Sequence, residues 1–178
     1  MRIELQGRAR RLGDDINSDY IITSARKRDT LDESVLKQYL LETVDPRFAR
    51  SVEPGDLIVA GRNFGGGSAM EIAVTVILAA GIKAVVAQSF ARTFYRNAVN
   101  NGLVPVECDT REIGEGDRLE IALADGAMRV TNQATGRTIV GTPMPGVMLE
   151  ILEAGGLVSY MRENGGFRRD ERRETRDE

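Results

Sequence analysis

The stretch "LIVAGRNFGGGSAMEIAVTVILAAGIKAVVA", Leu57 to Ala87, decides the fold of this chain. It begins and ends with short apolar runs of the kind that form buried strands. Between these runs lie a glycine-rich loop and an apolar helical segment that stops at Gly81, since glycine favours the end of a helix. The order strand, loop, helix, strand predicts a right-handed crossover within a parallel α/β sheet.

The segments that follow first extend this pattern and then change it. A helix is predicted for "FARTFYRNAVNNG" (90–102) and a strand for "LVPVEC" (103–108). After about Asp109, three short β runs are separated by "ADG" and "NQATG", which are typical of hairpin turns. We predict one or two closing helices over 144–163. The fold class is therefore α/β, with a mixed sheet that has a parallel core and antiparallel hairpins.

A further helix is predicted upstream of the opening stretch. The segment "DESVLKQYLLETVD" (32–45) has apolar residues at helical spacing, and its first residues are acidic. Acidic side chains suit the positive end of a helix dipole.

Composition places the chain among single-domain globular proteins. It has 178 residues, a net charge of −3 and a pI near 5.2, whereas a nucleic-acid-binding protein needs a basic face. We expect one domain over residues 1–163 and a charged, disordered tail over residues 164–178, where "FRRDERRETRDE" mixes both charges. The N-terminus lacks a signal-peptide pattern, so a cytoplasmic location is expected.

Histidine is missing from this sequence and cysteine occurs once, and this composition limits the catalytic and metal-binding chemistry of the chain. The chain has no histidine, which excludes Ser-His and Cys-His catalytic pairs and histidine metal ligands. It has a single cysteine, Cys108, which excludes a disulfide, a zinc ribbon and an iron–sulfur cluster held by this chain alone. We interpret Cys108 as a small buried or edge residue. Metal chemistry would have to come from carboxylates or from a partner.

The glycine loop admits two compatible interpretations. Ser68 and Glu71 have the S-x-x-E spacing of a capping box, in which both side chains satisfy N–H groups at a helix start. A glycine loop before a helix can also hold an anion, because free N–H groups and the helix dipole converge there. Glycine lets the backbone approach such a ligand closely.

The loop does not match either common nucleotide motif. A Walker loop needs a lysine, which is missing here. A dinucleotide fingerprint needs a third glycine where Met70 stands, and an acid about 20 residues further on. A small carboxylate is the better fit.

Four segments carry a resemblance to a known family. They are "GDDINSDYII" (13–22), "DPRFA" (45–49), "VEPGDLIVAGRNFGGGSAMEIA" (52–73) and "AAGIKAVVAQSFARTFYRNAVNNGL" (79–103), of which the part "SFARTFYRNAVNNGL" (89–103) is the most specific. Together they resemble the small subunits of 3-isopropylmalate dehydratase, which correspond to the swivelling domain of the aconitase superfamily. The resemblance extends from Gly7 to about Ile151, and it implies the swivelling β/β/α fold.

The resemblance also implies a reaction and a partner. A separate large subunit would carry the 4Fe–4S cluster, and this chain would hold no cofactor of its own. The reaction would be the reversible loss and addition of water on a hydroxy-dicarboxylate, with leucine biosynthesis as the default pathway. Ser68 matches the serine that takes a proton alpha to a carboxylate. Asp19 matches an aspartate of the active-site network.

The chain departs from the family within the loop. Where the family reads roughly G-C-G-S-S-R-E-H-A, the second serine is Ala69, the arginine is Met70 and the histidine is Ile72. In the family that arginine and second serine contact substrate carboxylates, and methionine cannot replace a guanidinium. A changed substrate, a replacement cation or a catalytically degenerate subunit would each account for this.

The remaining site predictions concern the glycine loop and two pairs of arginines. We expect Gly66, Gly67 and Ala69 to bind substrate. Arg26 and Arg28 are candidates for the replacement cation, because they follow the segment where the family places its substrate-recognition loop. Arg92 and Arg96 lie on one face of a helix and are interpreted as interface or packing residues.

Three functions remain open at this stage. The first is a hydro-lyase small subunit, acting on 3-isopropylmalate or, as a paralogue, on a dialkylmalate or homoaconitate. The second is a non-catalytic regulatory or scaffold subunit. The third is a free-standing carboxylate-binding module.

Overall fold

The computed structural model describes residues 3–68 and 70–166, and these form one mixed sheet with helices on both sides. The described residues contain seven strands in the spatial order β4-β3-β2-β1-β5-β6-β7. The strands are β1 (Glu4–Arg11), β2 (Leu57–Ala60), β3 (Ala84–Ala87), β4 (Val104–Glu107), β5 (Arg118–Ala124), β6 (Ala127–Asn132) and β7 (Thr138–Val140). The helices are α1 (Ser18–Ile21), α2 (Ser24–Asp29), α3 (Glu33–Leu36), α4 (Phe48–Ser51), α5 (Ile72–Ala79), α6 (Arg92–Asn101), α7 (Gly146–Glu153) and α8 (Leu157–Asn164).

The parallel half of the sheet contains β1 to β4. β1 pairs with β2, β2 with β3 and β3 with β4, all in parallel. All four residues of β2 and all four of β3 are buried, as expected for strands that are covered on both faces. Helix α5 connects β2 to β3 and helix α6 connects β3 to β4, which confirms the predicted order of strands and helices in a parallel sheet. The predicted right-handedness of these crossovers stays a prediction.

The antiparallel half begins on the other edge of β1. The first residues of β1 pair with β5, and β5, β6 and β7 follow as a meander. The turn between β5 and β6 has Asp125 at φ 53° and Gly126 at φ 77°. Positive φ at both positions is the geometry of a tight hairpin turn, as the sequence predicts. The mixed sheet and the α/β class are confirmed.

Hydrophobic clusters cover both faces of the sheet. Ile58 and Val85 belong to one cluster, with the segments around α1, α3 and α5. Their strand neighbours Val59 and Val86 belong to the other, with α7 and α8. Successive strand residues point to opposite faces, so each short strand supplies both clusters.

The predicted long helix over 32–45 is wrong. The segment forms α3 and a 3-10 turn at Lys37–Tyr39, and turns follow. Leu41 has a φ of 57°, and its N–H donates to the carbonyl of Ile21 at 2.9 Å. The break buries Leu40 and Leu41 completely, although they are consecutive residues. Burial and this tertiary hydrogen bond therefore override helical spacing.

The predicted domain boundary and the predicted tail are not tested by the described residues. Residues 167–178, most of the predicted disordered tail, lie outside the described residues, and the boundary at residue 163 stays a prediction. Helix α8 ends at Asn164, close to that boundary. Within the described residues, no helix has the length and apolar character to cross a membrane.

Candidate active site

The glycine loop leaves the carboxyl end of β2 and meets two other segments there. Phe64 forms an isolated parallel bridge with Phe90, and Gly66 forms one with Asn17. The loop is therefore held between the start of α1 and the segment before α6. This edge of a parallel sheet, beyond the carboxyl ends of its strands, is where α/β proteins bind ligands.

Aromatic packing anchors the base of the loop. Phe64 is fully buried and meets Phe94 edge to face, with ring centroids 5.1 Å apart. Phe90 contacts the same ring at 6.1 Å. Gly65 has a φ of 80°, and a Cβ atom there would lie 2.2 Å from the ring of Phe94. Only glycine fits position 65, because any side chain would displace the aromatic anchor.

Helix α1 is held beside the loop by backbone hydrogen bonds. The N–H of Ser18 donates to the carbonyl of Gly66, and the N–H of Gly65 donates to that of Ile16, both at 2.7 Å. The side chain of Asn17 caps α1 by accepting from the N–H of Tyr20. These bonds bring Asp19 and the loop together, although they are far apart in the sequence.

The upper part of the loop is accessible and has free donors. Gly67 and Ser68 are exposed, and Gly66 is half-buried. Among residues 3–68 and 70–166, the N–H groups of Gly67, Ser68 and Glu71 find no acceptor. A helix of eight residues, α5, begins immediately afterwards at Ile72. The arrangement suits an anion.

The predicted capping box is wrong. Helix α5 begins at Ile72 with Glu71 in the N-cap position, and no side chain caps it. The N–H of Met70 donates to the carbonyl of Ser68 at 2.9 Å, which folds the chain into a turn before the helix. Ser68 is therefore outside the helix, and its hydroxyl is left for other contacts. Ala69 lies outside the described residues, so its predicted role stays a prediction.

Asp19 belongs to a small polar cluster beside the loop. Its carboxylate accepts from the hydroxyl of Ser24 at 2.8 Å and from the ammonium of Lys27 at 3.1 Å. The hydrogen bond from Ser24 and that from Lys27 lower the pKa of Asp19 below its ordinary value. Asp19 is therefore a carboxylate at neutral pH and does not act as an acid there.

Sequence reasoning missed Lys27. Its side chain is only 10% exposed, and its ammonium lies 3.0 Å from the sulfur of Met70. The sequence feature that could have indicated it is the cationic run "ARKRD" (25–29), where Lys27 stands between Arg26 and Arg28. Only the folded chain distinguishes which of these three cations faces the loop.

Comparison with known proteins identifies the family of this chain. Residues 16–111 match the family described as the aconitase C-terminal domain. A 3-isopropylmalate dehydratase small subunit of Archaeoglobus fulgidus is 43% identical over 166 residues, which cover 93% of this chain and 99% of that protein. This chain belongs to the 3-isopropylmalate dehydratase small-subunit family. It is accordingly a subunit of an aconitase-family hydro-lyase, and the small-subunit names imply a large-subunit partner.

Other relatives in this family are named for different substrates. A Methanocaldococcus jannaschii protein named isopropylmalate/citramalate isomerase small subunit is 42% identical, covering 91% of this chain and 96% of that protein. A methanogen homoaconitase small subunit from the same organism is 46% identical, covering 89% and 91%. A crystal structure of 3-isopropylmalate dehydratase from that organism superimposes with a TM-score of 0.85 at 43% identity, covering 92% and 96%. The predicted family and its swivelling fold are confirmed.

The two arginines predicted as replacement cations have different surroundings in this family member. Arg26 donates from two nitrogens to Glu42, at 2.9 and 3.0 Å, and stacks on Tyr39 with 3.7 Å to the ring centroid. These contacts explain Arg26 as a residue that holds α2 in place. Arg28 is exposed, and it has no hydrogen bond or ion pair among the described residues. Substrate binding by either residue stays a prediction.

A second surface of this small subunit lies next to the loop. Arg92 and Arg96 line an open cavity of about 480 Å³ together with Phe90, Tyr95 and Glu107. Burial, with a smaller contribution from Glu107, raises the pKa of Tyr95 above its ordinary value. Neither arginine has an ion pair within the described part of the chain. The interpretation of Arg92 and Arg96 as interface or packing residues stays a prediction.

The described part of this small subunit does not offer ligands for an iron–sulfur cluster. Within residues 3–68 and 70–166, no three His, Cys, Asp or Glu side chains are placed to hold a metal ion. Cys108 is buried, and burial, assisted by Asp109, raises the pKa of its thiol to about 12. Such a thiol stays protonated, whereas cluster ligands are thiolates. The cluster implied by the family does not fit this chain.

Proposed function

We propose that this chain is the substrate-closing small subunit of a hydro-lyase that acts on 3-isopropylmalate or a related alkylmalate. The observation that carries the proposal is Ser68: an exposed hydroxyl at the top of a glycine loop, beside free N–H groups and the start of α5. A hydroxyl buried in the core, or bound as a helix cap, would not support it.

Ser68 serves as the proton acceptor in this proposal. Its deprotonated oxygen takes the proton alpha to a substrate carboxylate during loss of water, and returns it during addition. The neighbouring N–H groups and the positive end of the α5 dipole stabilise the negative oxygen. Gly66 and Gly67 allow the substrate to approach the backbone. Asp19, which is ionised, orients the polar side chains around it.

The complete active site requires the large subunit. Several thiolates are needed for an iron–sulfur cluster, and they would have to come from that partner, because this chain has a single buried cysteine. Closure of the small subunit over the partner would exclude water from the site. The proposed substrate makes leucine biosynthesis the default pathway.

A different substrate is the main alternative within the enzyme class. Met70 stands where a cation would be expected to contact a substrate carboxylate, and relatives of similar identity are named for citramalate and homoaconitate chemistry. A dialkylmalate or homoaconitate would then replace 3-isopropylmalate. The same change at Met70 favours the second candidate function, a non-catalytic regulatory subunit.

Reconstitution with the large subunit tests the proposal. The isolated chain is expected to be inactive, and the pair is expected to turn over one member of a panel of 3-isopropylmalate, citramalate, homoaconitate and 2,3-dimethylmalate. Ser68→Ala should lower kcat of the pair by about 100- to 10,000-fold, the usual contribution of a positioned base. Ser159→Ala, on α8, is the matched control and should leave kcat unchanged.

Two outcomes would contradict this function. If the Ser68→Ala pair keeps wild-type kcat, Ser68 is not the base. If the assembled wild-type pair turns over no member of the panel, the regulatory interpretation replaces the catalytic one.

A further inference from the structure

We propose that Lys27 is the specificity-determining cation of this site and binds a carboxylate of the substrate beside Ser68. The inference rests on the proposed hydro-lyase function and names the residue that supplies the positive charge. The sequence points to this segment through Arg26 and Arg28, and the choice of Lys27 comes from the folded structure.

The surroundings of the Lys27 ammonium leave it under-satisfied. Its side chain is 10% exposed, and its partners within the described residues are Asp19, at 3.1 Å, and the sulfur of Met70, at 3.0 Å. An ammonium has three N–H donors, and a thioether is a weak acceptor. Burying a charge is costly unless it is well paired. A further anionic partner would therefore be bound favourably.

Lys27 lies where a ligand at Ser68 would need a cation. The ammonium contacts Met70, which stands two residues after Ser68 in the chain. The N–H of Met70 also donates to the carbonyl of Ser68. Its other partner, Asp19, extends from α1, which is bonded to the loop through Gly66. The lysine thus bridges the two segments that form the candidate site.

Two other nearby arginines, Arg62 and Arg26, are already paired elsewhere. Arg62, in the loop itself, makes an ion pair with Asp14 at 2.8 Å and is 73% exposed. Arg26 is paired with Glu42 and stacked on Tyr39. Arg28 is exposed and makes no hydrogen bond or ion pair with the loop, so among the described residues Lys27 is the cation whose side chain contacts Met70.

A buried hydroxyl supplies a second sign of an incomplete site. Ser18 is 2% exposed, and its oxygen has no hydrogen-bond partner among the described residues. A Cβ atom on Gly67 would lie 3.3 Å from this oxygen, so the hydroxyl faces the loop. Buried polar groups in native proteins almost always have partners. An anion bound between Lys27 and the loop would draw this hydroxyl and the free N–H groups into one network.

The proposed ligand is therefore a carboxylate substrate, and the Lys27 ammonium would bind one of its carboxylate groups. Such a contact is a charge-assisted hydrogen bond. Losing it should weaken binding by about 10- to 100-fold, which is the range expected for a hydrogen bond to a charged group. Proton transfer by Ser68 would continue, so the loss should affect KM more than kcat.

The test compares three variants in the reconstituted pair. Lys27→Met keeps the apolar stem and removes the charge, Lys27→Arg keeps the charge, and Lys37→Met changes an exposed lysine outside the site. The test requires kcat and KM of each variant for the best substrate of the four-member panel, and the Kd of that substrate by calorimetry. Lys27→Met should raise KM and Kd by about 10- to 100-fold. Lys27→Arg should recover most of this, and Lys37→Met should match wild type.

The outcomes separate this inference from the function beneath it. If KM and Kd of Lys27→Met stay within twofold of wild type while Ser68→Ala abolishes turnover, Lys27 does not bind substrate and the hydro-lyase function stands. If Lys27→Met weakens subunit assembly with KM unchanged, Lys27 has a structural role and the inference is wrong. If Ser68→Ala has no effect, the proposed function fails, and this inference fails with it.

Discussion

At the residue scale, the charged side chains of this small subunit differ mainly in the partners that folding supplies. Asp56, directly before β2, is buried and accepts hydrogen bonds from Arg8 at 2.9 Å and from Arg10 at 3.3 Å. These arginines belong to β1, more than 40 residues earlier in the chain. The cluster fixes β1 against β2, and the carboxyl ends of these strands lead to α1 and the glycine loop.

Asp56→Asn should destabilise the chain strongly at neutral pH. Burial alone would raise the pKa of Asp56, but the hydrogen bonds from Arg8, the Glu53 N–H and Arg10 outweigh it and lower the pKa. A lowered pKa means that the stabilisation is present above the unfolded value of about 3.9 and is lost as pH falls through the folded value. Removing one partner of a buried ion pair costs about 3 kcal/mol.

Urea unfolding from pH 7 to pH 3 measures this effect. The difference in free energy of unfolding between wild type and Asp56→Asn should shrink as the pH falls. Asp125→Asn is the control, because Asp125 is 86% exposed in its pair with Arg129 and such pairs contribute about 0–1 kcal/mol. Equal effects of the two substitutions at pH 7 would show that the Asp56 cluster is not stabilising.

At the scale of elements, the site depends on how the glycine loop is attached to its neighbours. The loop is fixed at Phe64 and Gly65 by aromatic rings from the segment before α6 and from α6 itself, while Gly67 and Ser68 stay exposed. A fixed base and an accessible upper part together position the Ser68 hydroxyl without burying it. The same loop in isolation would have no fixed shape.

Gly65→Ala should therefore cost more than the backbone strain alone. Gly65 and Gly116 have nearly equal φ angles, 80° and 84°, but a Cβ on Gly116 meets nothing within 4 Å. Gly116→Ala should lower the free energy of unfolding by about 1–2 kcal/mol, the cost of the left-handed conformation. Gly65→Ala should lower it by at least about 1 kcal/mol more, because overpacking displaces Phe94.

Chemical denaturation, monitored by circular dichroism, measures the free energies of unfolding of Gly65→Ala and Gly116→Ala. In the reconstituted pair, Gly65→Ala should also lower kcat, since Ser68 shifts with the loop. Equal destabilisation by the two substitutions would mean that the aromatic contact at Gly65 relaxes without cost.

At the scale of the whole molecule, the small-subunit names of the relatives imply a second protein. The open cavity lined by Arg92 and Arg96 lies beside the loop, and these two cations have no ion pair within the described residues. Phe90 lines this cavity and forms a bridge with Phe64 at the base of the loop, so we expect a partner that covers the loop to extend over the cavity. Charged groups at an interface mainly steer association.

Arg96→Glu should weaken assembly with the large subunit. We expect the association rate constant to fall by about tenfold at low salt, with a smaller loss at high salt, because screening reduces the steering. Surface plasmon resonance with an immobilised large subunit measures this. Arg162→Glu, an exposed change on α8, is the control. Association rates for Arg96→Glu and Arg162→Glu that agree within twofold would place the interface elsewhere.

The sequence by itself determined the features that depend on neighbouring residues. The apolar runs of β2 and β3, the Asp125-Gly126 turn and the helix stops at Gly81 and Gly102 are local preferences that the fold retains. The absence of histidine and the single cysteine also needed no structure to exclude a complete cluster site.

Only the tertiary structure decided which side chains meet. Leu41 leaves the predicted helix because it bonds to Ile21, and Ser68 does not cap α5 because the chain turns at Met70. Lys27, and not its arginine neighbours, reaches the loop. These outcomes depend on burial and on partners distant in sequence, whose energies exceed the small local preferences of single residues.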